Sequence, residues 1–71
     1  MSFTPGVILM LKSFKARLIE HPMIEGKEYG NFTVGKKYRV YSVFTTSDYT
    51  DFLVADNDGI FRWISTAVFR A

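Results

Sequence analysis

Apolar and polar side chains alternate along short stretches of this chain, and this spacing limits the folds open to it. In residues 14–18, Phe14, Ala16 and Leu18 alternate with two basic residues. A period of two puts successive side chains on opposite faces of a strand, whereas a helix needs an apolar period near 3.6. No stretch sustains the helical period. The spacing therefore predicts an all-β domain.

Two further stretches have the composition of strands. Residues 38–44 are dense in aromatic and β-branched side chains, which strands favour. Within them, Tyr38, Val40, Ser42 and Phe44 are predicted to share the inner face. Residues 51–55 form the next predicted strand, after a polar connection at residues 45–50.

The sharpest local signal is the acidic turn from Asp56 to Gly59, which lies between two strand-like runs. It predicts a tight hairpin, with Gly59 at positive φ because glycine has no Cβ to clash there. Residues 65–67 predict a short 3-10 turn, and residues 68–70 a closing strand. This order predicts a small barrel of about five short antiparallel strands.

The domain is expected to occupy residues 14–71, with residues 1–13 as an N-terminal extension. Pro5 and Gly6 interrupt regular structure, and the apolar run of residues 7–11 follows them. That run is either flexible or an added strand, paired with this barrel or with another copy of the chain. It is far shorter than a membrane span and has no basic segment before it. We therefore expect a cytoplasmic protein.

Composition argues against catalysis and against metal binding. The chain has 71 residues, no cysteine and one histidine, so disulfides, thiolate sites and a zinc site are not expected. Aligning Gly59 with the invariant glycine of a calcium loop puts Val54 and Ser65 where carboxylates are required. We expect no enzyme activity, no metal and no cofactor. The 17% aromatic content is enough to form a core that needs neither disulfides nor a metal.

A binding surface remains as the expected functional feature. Lys37, Arg39 and Tyr41 are predicted to alternate on the outer face of one strand, with Lys36 beside them and Arg62 and Trp63 extending the surface. Basic and aromatic side chains together suit a protein contact or phosphates and stacked bases. The alternative is an ordinary solvated face. Alternation also leaves open whether the face of Ile60, Arg62 and Ile64 or that of Phe61 and Trp63 is the core.

The stretch Thr33–Val40, with the pattern T-x-G-K-x-Y-x-V, resembles the opening of small SH3-like barrel proteins, many of them encoded by phages and prophages. The likeness continues through an apolar strand at residues 52–54, the acidic turn at residues 56–59, a second apolar strand at residues 60–63 and a final Phe at residue 69. It covers about residues 14–70. The resemblance implies an SH3-like barrel.

The resemblance also implies a phage-type accessory protein that contacts a host protein and modulates it. Two alternatives stay open. One is a nucleic-acid-binding barrel that uses Lys36, Lys37, Arg39 and Tyr41. The other is a self-assembling structural protein, a homo-oligomer joined through residues 7–11.

Overall fold

The computed structural model describes residues 6–9 and 12–71, and it is an all-β domain. Within those residues it contains nine strands and one 3-10 turn. The strands are β1 (Val7–Leu9), β2 (Phe14–Leu18), β3 (Met23–Ile24), β4 (Lys27–Glu28), β5 (Lys37–Val40), β6 (Ser42–Thr45), β7 (Thr50–Ala55), β8 (Phe61–Ser65) and β9 (Phe69–Arg70). The 3-10 turn spans Thr66–Val68, which confirms the prediction of such a turn before the last strand.

The strands form antiparallel sheets. The four-stranded sheet has the order β1-β6-β7-β8, the three-stranded sheet has the order β5-β2-β9, and β3 pairs with β4 in a separate hairpin. Over the described residues, none of these hydrogen-bonded ladders closes into a barrel. The structure has more strands than the five expected, because it adds β1 and the β3–β4 hairpin and divides one predicted strand in two.

That division falls at Tyr41. The stretch 38–44 was predicted to be one strand, but β5 belongs to the three-stranded sheet and β6 to the four-stranded sheet. The Tyr41 amide donates a hydrogen bond to the Leu53 carbonyl at 2.9 Å, where the chain passes between the sheets. The passage shifts the alternation, so Val43, predicted outside, is buried, and Phe44, predicted inside, is partly exposed.

The inner faces of both sheets meet in one apolar core. Leu18, Val40 and Val54 are the largest fully buried side chains, and they come from strands of both sheets. The other buried apolar residues are Ala16, Phe32, Tyr38, Val43, Ile64 and Phe69. Tyr38 and Phe32 pack edge to face with ring centroids 5.2 Å apart. Burial of the aromatic rings supplies much of the area that so small a domain can hide.

The hairpin between β7 and β8 forms as the sequence predicts. Gly59 has a φ of 80°, and its amide donates to the Asp56 carbonyl at 2.9 Å. In β8, Ile64 is buried at 3% exposure whereas Phe61 and Trp63 are 57% and 39% exposed. The face of Ile64 is therefore the core face, and Phe61 and Trp63 point outward.

Strand β1, at residues 7–9, lies on the edge of the four-stranded sheet. Strand β1 pairs with β6, with Ile8 opposite Phe44. Gly6 lies against the Phe44 ring, where a Cβ would come within 2.1 Å of its Cζ atom. Residues 10 and 11, the rest of the apolar run of residues 7–11, lie outside the described residues. No helix in the described part of the chain is long and apolar enough to cross a membrane.

Candidate functional site

Exposed rings cover the outer surface of the four-stranded sheet. Cross-strand pairing sets Ile8, Phe44, Asp51 and Ser65 in one row, and Trp63 opposite Leu53 in the next. We call this surface the aromatic face and define it by Ile8, Tyr41, Phe44, Tyr49, Asp51, Phe61 and Trp63. Exposure reaches 43% for Tyr41 and 53% for Tyr49. Rings exposed to this degree on one surface form an apolar patch rather than scattered single contacts.

Ring contacts order the aromatic face. Tyr41 and Phe61 pack edge to face with centroids 5.2 Å apart. Phe44 lies between Tyr49 and Trp63, at 6.1 Å from each ring centroid. Edge-to-face and tilted pairs at these distances are favourable beyond the area they bury. The rings therefore hold one another in place without a ligand.

A tight turn between β6 and β7 positions Tyr49. The Thr46 amide donates to the Tyr49 carbonyl at 2.8 Å. The Thr46 hydroxyl accepts from the amides of Asp48 and Tyr49, both at 3.1 Å. Such side-chain-to-backbone bonds favour a turn over extended backbone.

The aromatic face contains an open groove of about 310 Å³, lined by Ile8, Phe44, Tyr49, Asp51 and Trp63. Asp51 is half-buried, and its carboxylate has no hydrogen-bond or salt-bridge partner among the described residues. Burial raises the pKa of the Asp51 carboxyl above its usual range. A second apolar groove of about 200 Å³ lies beside Trp63, against Met23, Ile24 and Tyr29. Trp63 therefore borders both grooves.

Comparison with protein-family models, curated proteins and solved structures finds no match to this chain. Among the residues that the structure describes, no group of three His, Asp or Glu side chains is placed to hold a metal ion.

The outer surface of the three-stranded sheet is basic. Its outward positions are Lys15 and Arg17 on β2, Lys37 and Arg39 on β5, and Arg70 on β9, and all are exposed. We call these five residues the basic face. Within the described strands β2, β5 and β9 there is no Asp or Glu.

Like charges lie directly opposite each other across the strands of the basic face. Lys15 pairs with Arg39, and Arg17 pairs with both Lys37 and Arg70. Directly opposed like charges destabilise a sheet. Arg17 donates to the Gly35 carbonyl, and Arg39 donates to the Ser13 hydroxyl at 2.8 Å. Neither bond neutralises a charge, so the positive potential of the face is retained.

The predicted binding residues do not form one surface. Lys37 and Arg39 belong to the basic face, whereas Tyr41 and Trp63 belong to the aromatic face. Lys36 donates to the Asn57 side chain at 2.9 Å and lies over the Tyr38 ring. Arg62 is on the opposite side of β8 from Trp63, because adjacent strand residues face opposite ways.

Arg62 is held by Asp56 in a buried polar network. Its Nε atom donates to the Asp56 carboxylate at 2.8 Å, and its guanidinium lies over the Tyr29 ring. The same carboxylate accepts from the Asp58 and Ile60 amides at 2.9 and 3.0 Å. Arg62, aided by these amides, lowers the pKa of Asp56 to about 2. The acidic turn therefore has a structural role, because the Asp56 carboxylate fixes both the turn and the Arg62 side chain.

Sequence reasoning missed several residues of both faces. Lys15 and Arg17 already alternate with the buried residues of β2, so their outward position was readable, but their proximity to Lys37 and Arg70 depends on strand pairing. Asp51 and Tyr49 carried no local signal, because the groove that they line involves separate strands.

Proposed function

We propose that this chain is a non-enzymatic binding protein that contacts a partner protein through its aromatic face. The observation that carries the proposal is the ordered cluster of exposed rings, with Phe61 at 57% exposure and Tyr49 at 53%. Trp and Tyr are enriched among the residues that dominate interface energies. Rings that are already held by one another lose little freedom on binding, which lowers the entropic cost of association.

The SH3-like barrel is part of the same proposal. It is supported by the chain passing from one sheet to the other at Tyr41 and by the 3-10 turn directly before the last strand. Strands that bend from one packed sheet into another are typical of small orthogonal β-barrels. The resemblance to phage and prophage proteins extends the proposal to an accessory protein that contacts a host protein and modulates it.

Affinity capture tests the proposal directly. The immobilised chain is incubated with host-cell lysate beside two variants, Phe61→Ser on the aromatic face and Lys15→Ser on the basic face. We expect one protein to be retained by the wild type and by Lys15→Ser but lost from Phe61→Ser. Loss of a central aromatic contact costs about 2 kcal/mol or more, which is roughly a thirtyfold weakening. Circular dichroism checks that both variants fold.

Two outcomes contradict the proposal. In one, Phe61→Ser retains the same protein as the wild type. In the other, a purified partner binds the chain while Tyr41 and Trp63 keep the exposure that they have in the free protein, which hydrogen-exchange and fluorescence-quenching experiments detect.

A second candidate is nucleic-acid binding through the basic face, and the like-charge pairs favour it. Three cross-strand pairs of basic residues weaken the sheet unless a polyanion neutralises them. The sequence-based version of this candidate used Lys36, Lys37, Arg39 and Tyr41. The basic face retains Lys37 and Arg39 from that set.

Salt dependence tests this second candidate. If all five residues of the basic face contact phosphates, log affinity falls against log salt with a slope of about −3.5 on single strands and about −4.5 on duplex. Raising salt from about 50 to about 200 mM then weakens binding by roughly 100- to 500-fold. Fluorescence anisotropy with labelled single-stranded and duplex oligonucleotides measures this slope.

Variants of the basic face sharpen the measurement. Arg70→Gln should make the slope shallower by about 0.7 to 0.9, whereas Lys27→Gln, on the separate β3–β4 hairpin, should leave it unchanged. No binding to either oligonucleotide at about 50 mM salt eliminates this candidate.

A further inference from the structure

The groove of the aromatic face combines three rings with one carboxylate that has no hydrogen-bond or salt-bridge partner in the described part of the chain. Asp51 lies directly opposite Phe44 on β6 and Ser65 on β8. Phe44, Tyr49 and Trp63 line the same groove of about 310 Å³. Among the described residues, no Lys or Arg lines it, and none forms a salt bridge with Asp51.

The rings leave a space rather than forming one stack. The Phe44 plane is inclined by 46° to Tyr49 and by 63° to Trp63, with both centroid distances at 6.1 Å. All three side chains line the groove, so a cation bound there would lie beside their rings. A cation within about 6 Å of a ring centroid is attracted by that density.

We propose that this groove binds a cationic side chain, arginine or lysine, of the partner protein. The inference rests on the proposed function, since it names the chemistry of the group that the aromatic face would hold. Charge complementarity carries it. An anion would be repelled by Asp51, and an uncharged apolar group would cover the carboxylate without pairing it, which is unfavourable.

The surrounding charges support the same occupant. Arg62 points to the opposite side of β8 from Trp63 and forms a salt bridge with Asp56, so it does not neutralise Asp51. Burial raises the pKa of Asp51, and an incoming cation would oppose that shift by favouring the ionised form.

The groove is formed before any ligand arrives. The Thr46 hydroxyl accepts hydrogen bonds from the backbone amides of Asp48 and Tyr49, which fixes the turn that carries Tyr49. Gly6 packs so closely against the Phe44 ring that a larger residue at position 6 would displace the ring. Binding therefore requires little rearrangement, and weak small-molecule probes suffice to detect it.

Trp63 is the only tryptophan of the chain, so its fluorescence reports on the two grooves that it borders, and the Asp51 variant described below distinguishes between them. The probes are N-acetyl-arginine amide and N-acetyl-lysine amide, and the uncharged control is N-acetyl-norleucine amide, all at constant ionic strength. We expect a saturable change with at least one cationic probe at a dissociation constant on the order of 1 mM. The norleucine probe should bind roughly tenfold more weakly.

Matched variants assign the charge effect to one carboxylate. Asp51→Asn should weaken the cationic probe roughly tenfold and should not weaken the norleucine probe, because only the cation pairs with the carboxylate. Asp48→Asn changes the same charge in the adjacent turn, outside the groove lining, and should alter neither. Circular dichroism verifies that both variants fold, and the comparison of probes on the wild type needs no variant.

Three results would overturn the inference: no fluorescence change with either cationic probe, equal affinity for norleucine, or an Asp51→Asn variant that binds the cationic probes as well as the wild type. None of these results changes the interpretation of the capture experiment with Phe61→Ser. Loss of partner capture in that variant would leave the proposed function standing even if the groove does not select cations.

Discussion

Gly30 and Gly59 allow the packing around the Asp56–Arg62 pair to be measured with a matched control. Both glycines have a φ of +80°. A Cβ at Gly30 would lie 2.7 Å from the Phe32 ring and 2.8 Å from the Cδ and Nε atoms of Arg62, whereas a Cβ at Gly59 would meet nothing within 4 Å. Replacing each with alanine therefore puts a Cβ on left-handed backbone of the same φ, and only one replacement imposes a clash.

The expected losses follow from these surroundings. A left-handed alanine costs roughly 1–2 kcal/mol, which is the expected effect of Gly59→Ala. Gly30→Ala adds about 1–3 kcal/mol for overpacking, because the Phe32 ring is buried and Arg62 is bonded to Asp56. The entropy that alanine removes from the unfolded chain is the same at both sites and cancels in the difference.

Urea unfolding, followed by Trp63 fluorescence and far-ultraviolet circular dichroism, measures both variants. For a domain of this size the whole free energy of unfolding is about 4–11 kcal/mol, so Gly30→Ala should remove a large part of it. The extra loss should lower Tm by at least about 4 °C more than Gly59→Ala does. Equal losses in the two variants, or a smaller loss at Gly30, would refute the packing argument.

Four further substitutions have defined outcomes. Leu18→Ala should destabilise the domain by about 3–5 kcal/mol in urea unfolding, because Leu18 is fully buried in the core. Tyr38→Phe should cost about 1 kcal/mol in the same assay, because the buried hydroxyl accepts from the Thr33 amide at 2.7 Å and donates to Asn57 at 2.9 Å. The pKa of Asp56 is lowered to about 2 from 3.8, so its contribution to stability is full above about pH 4 and is lost as pH falls through about 2. The free energy of unfolding of Asp56→Asn should therefore fall less than that of the wild type as pH is lowered through that range. The pKa of Asp51 is raised, so protonation of this carboxyl favours the folded protein as pH falls. Asp51→Asn removes that contribution, and its free energy of unfolding should therefore fall more steeply in acid than that of the wild type.

Local features of the fold were readable because their causes lie within a few residues. The alternation of residues 14–18 predicts β2, and Ala16 and Leu18 are buried as that pattern requires. The acidic turn predicts positive φ at Gly59 because glycine alone avoids the steric cost there. The 3-10 turn follows from a similarly local signal, and the Ser65 hydroxyl caps it by accepting from the Ala67 amide at 3.2 Å.

The surfaces were less readable, because they depend on which strands become neighbours. Lys15, Arg17 and Arg70 are dispersed in the sequence, and antiparallel pairing with β5 and β9 brings them into the basic face. A pattern of alternation states that two residues share a face, but it does not state what lies opposite that face. Alternation already places Arg62 and Trp63 on opposite sides of one strand, and only the tertiary structure decides which side is the core.

The sequence by itself determined that the chain forms short strands, where its sharpest turn lies and which side of β2 is apolar, because steric limits and side-chain spacing act over a few residues. Tertiary structure decided that residues 38–44 divide at Tyr41, that Asp51 lies among three rings and that five basic residues meet on one sheet. Those outcomes depend on contacts between residues far apart in the chain, which form only when the two sheets bury their apolar faces against each other.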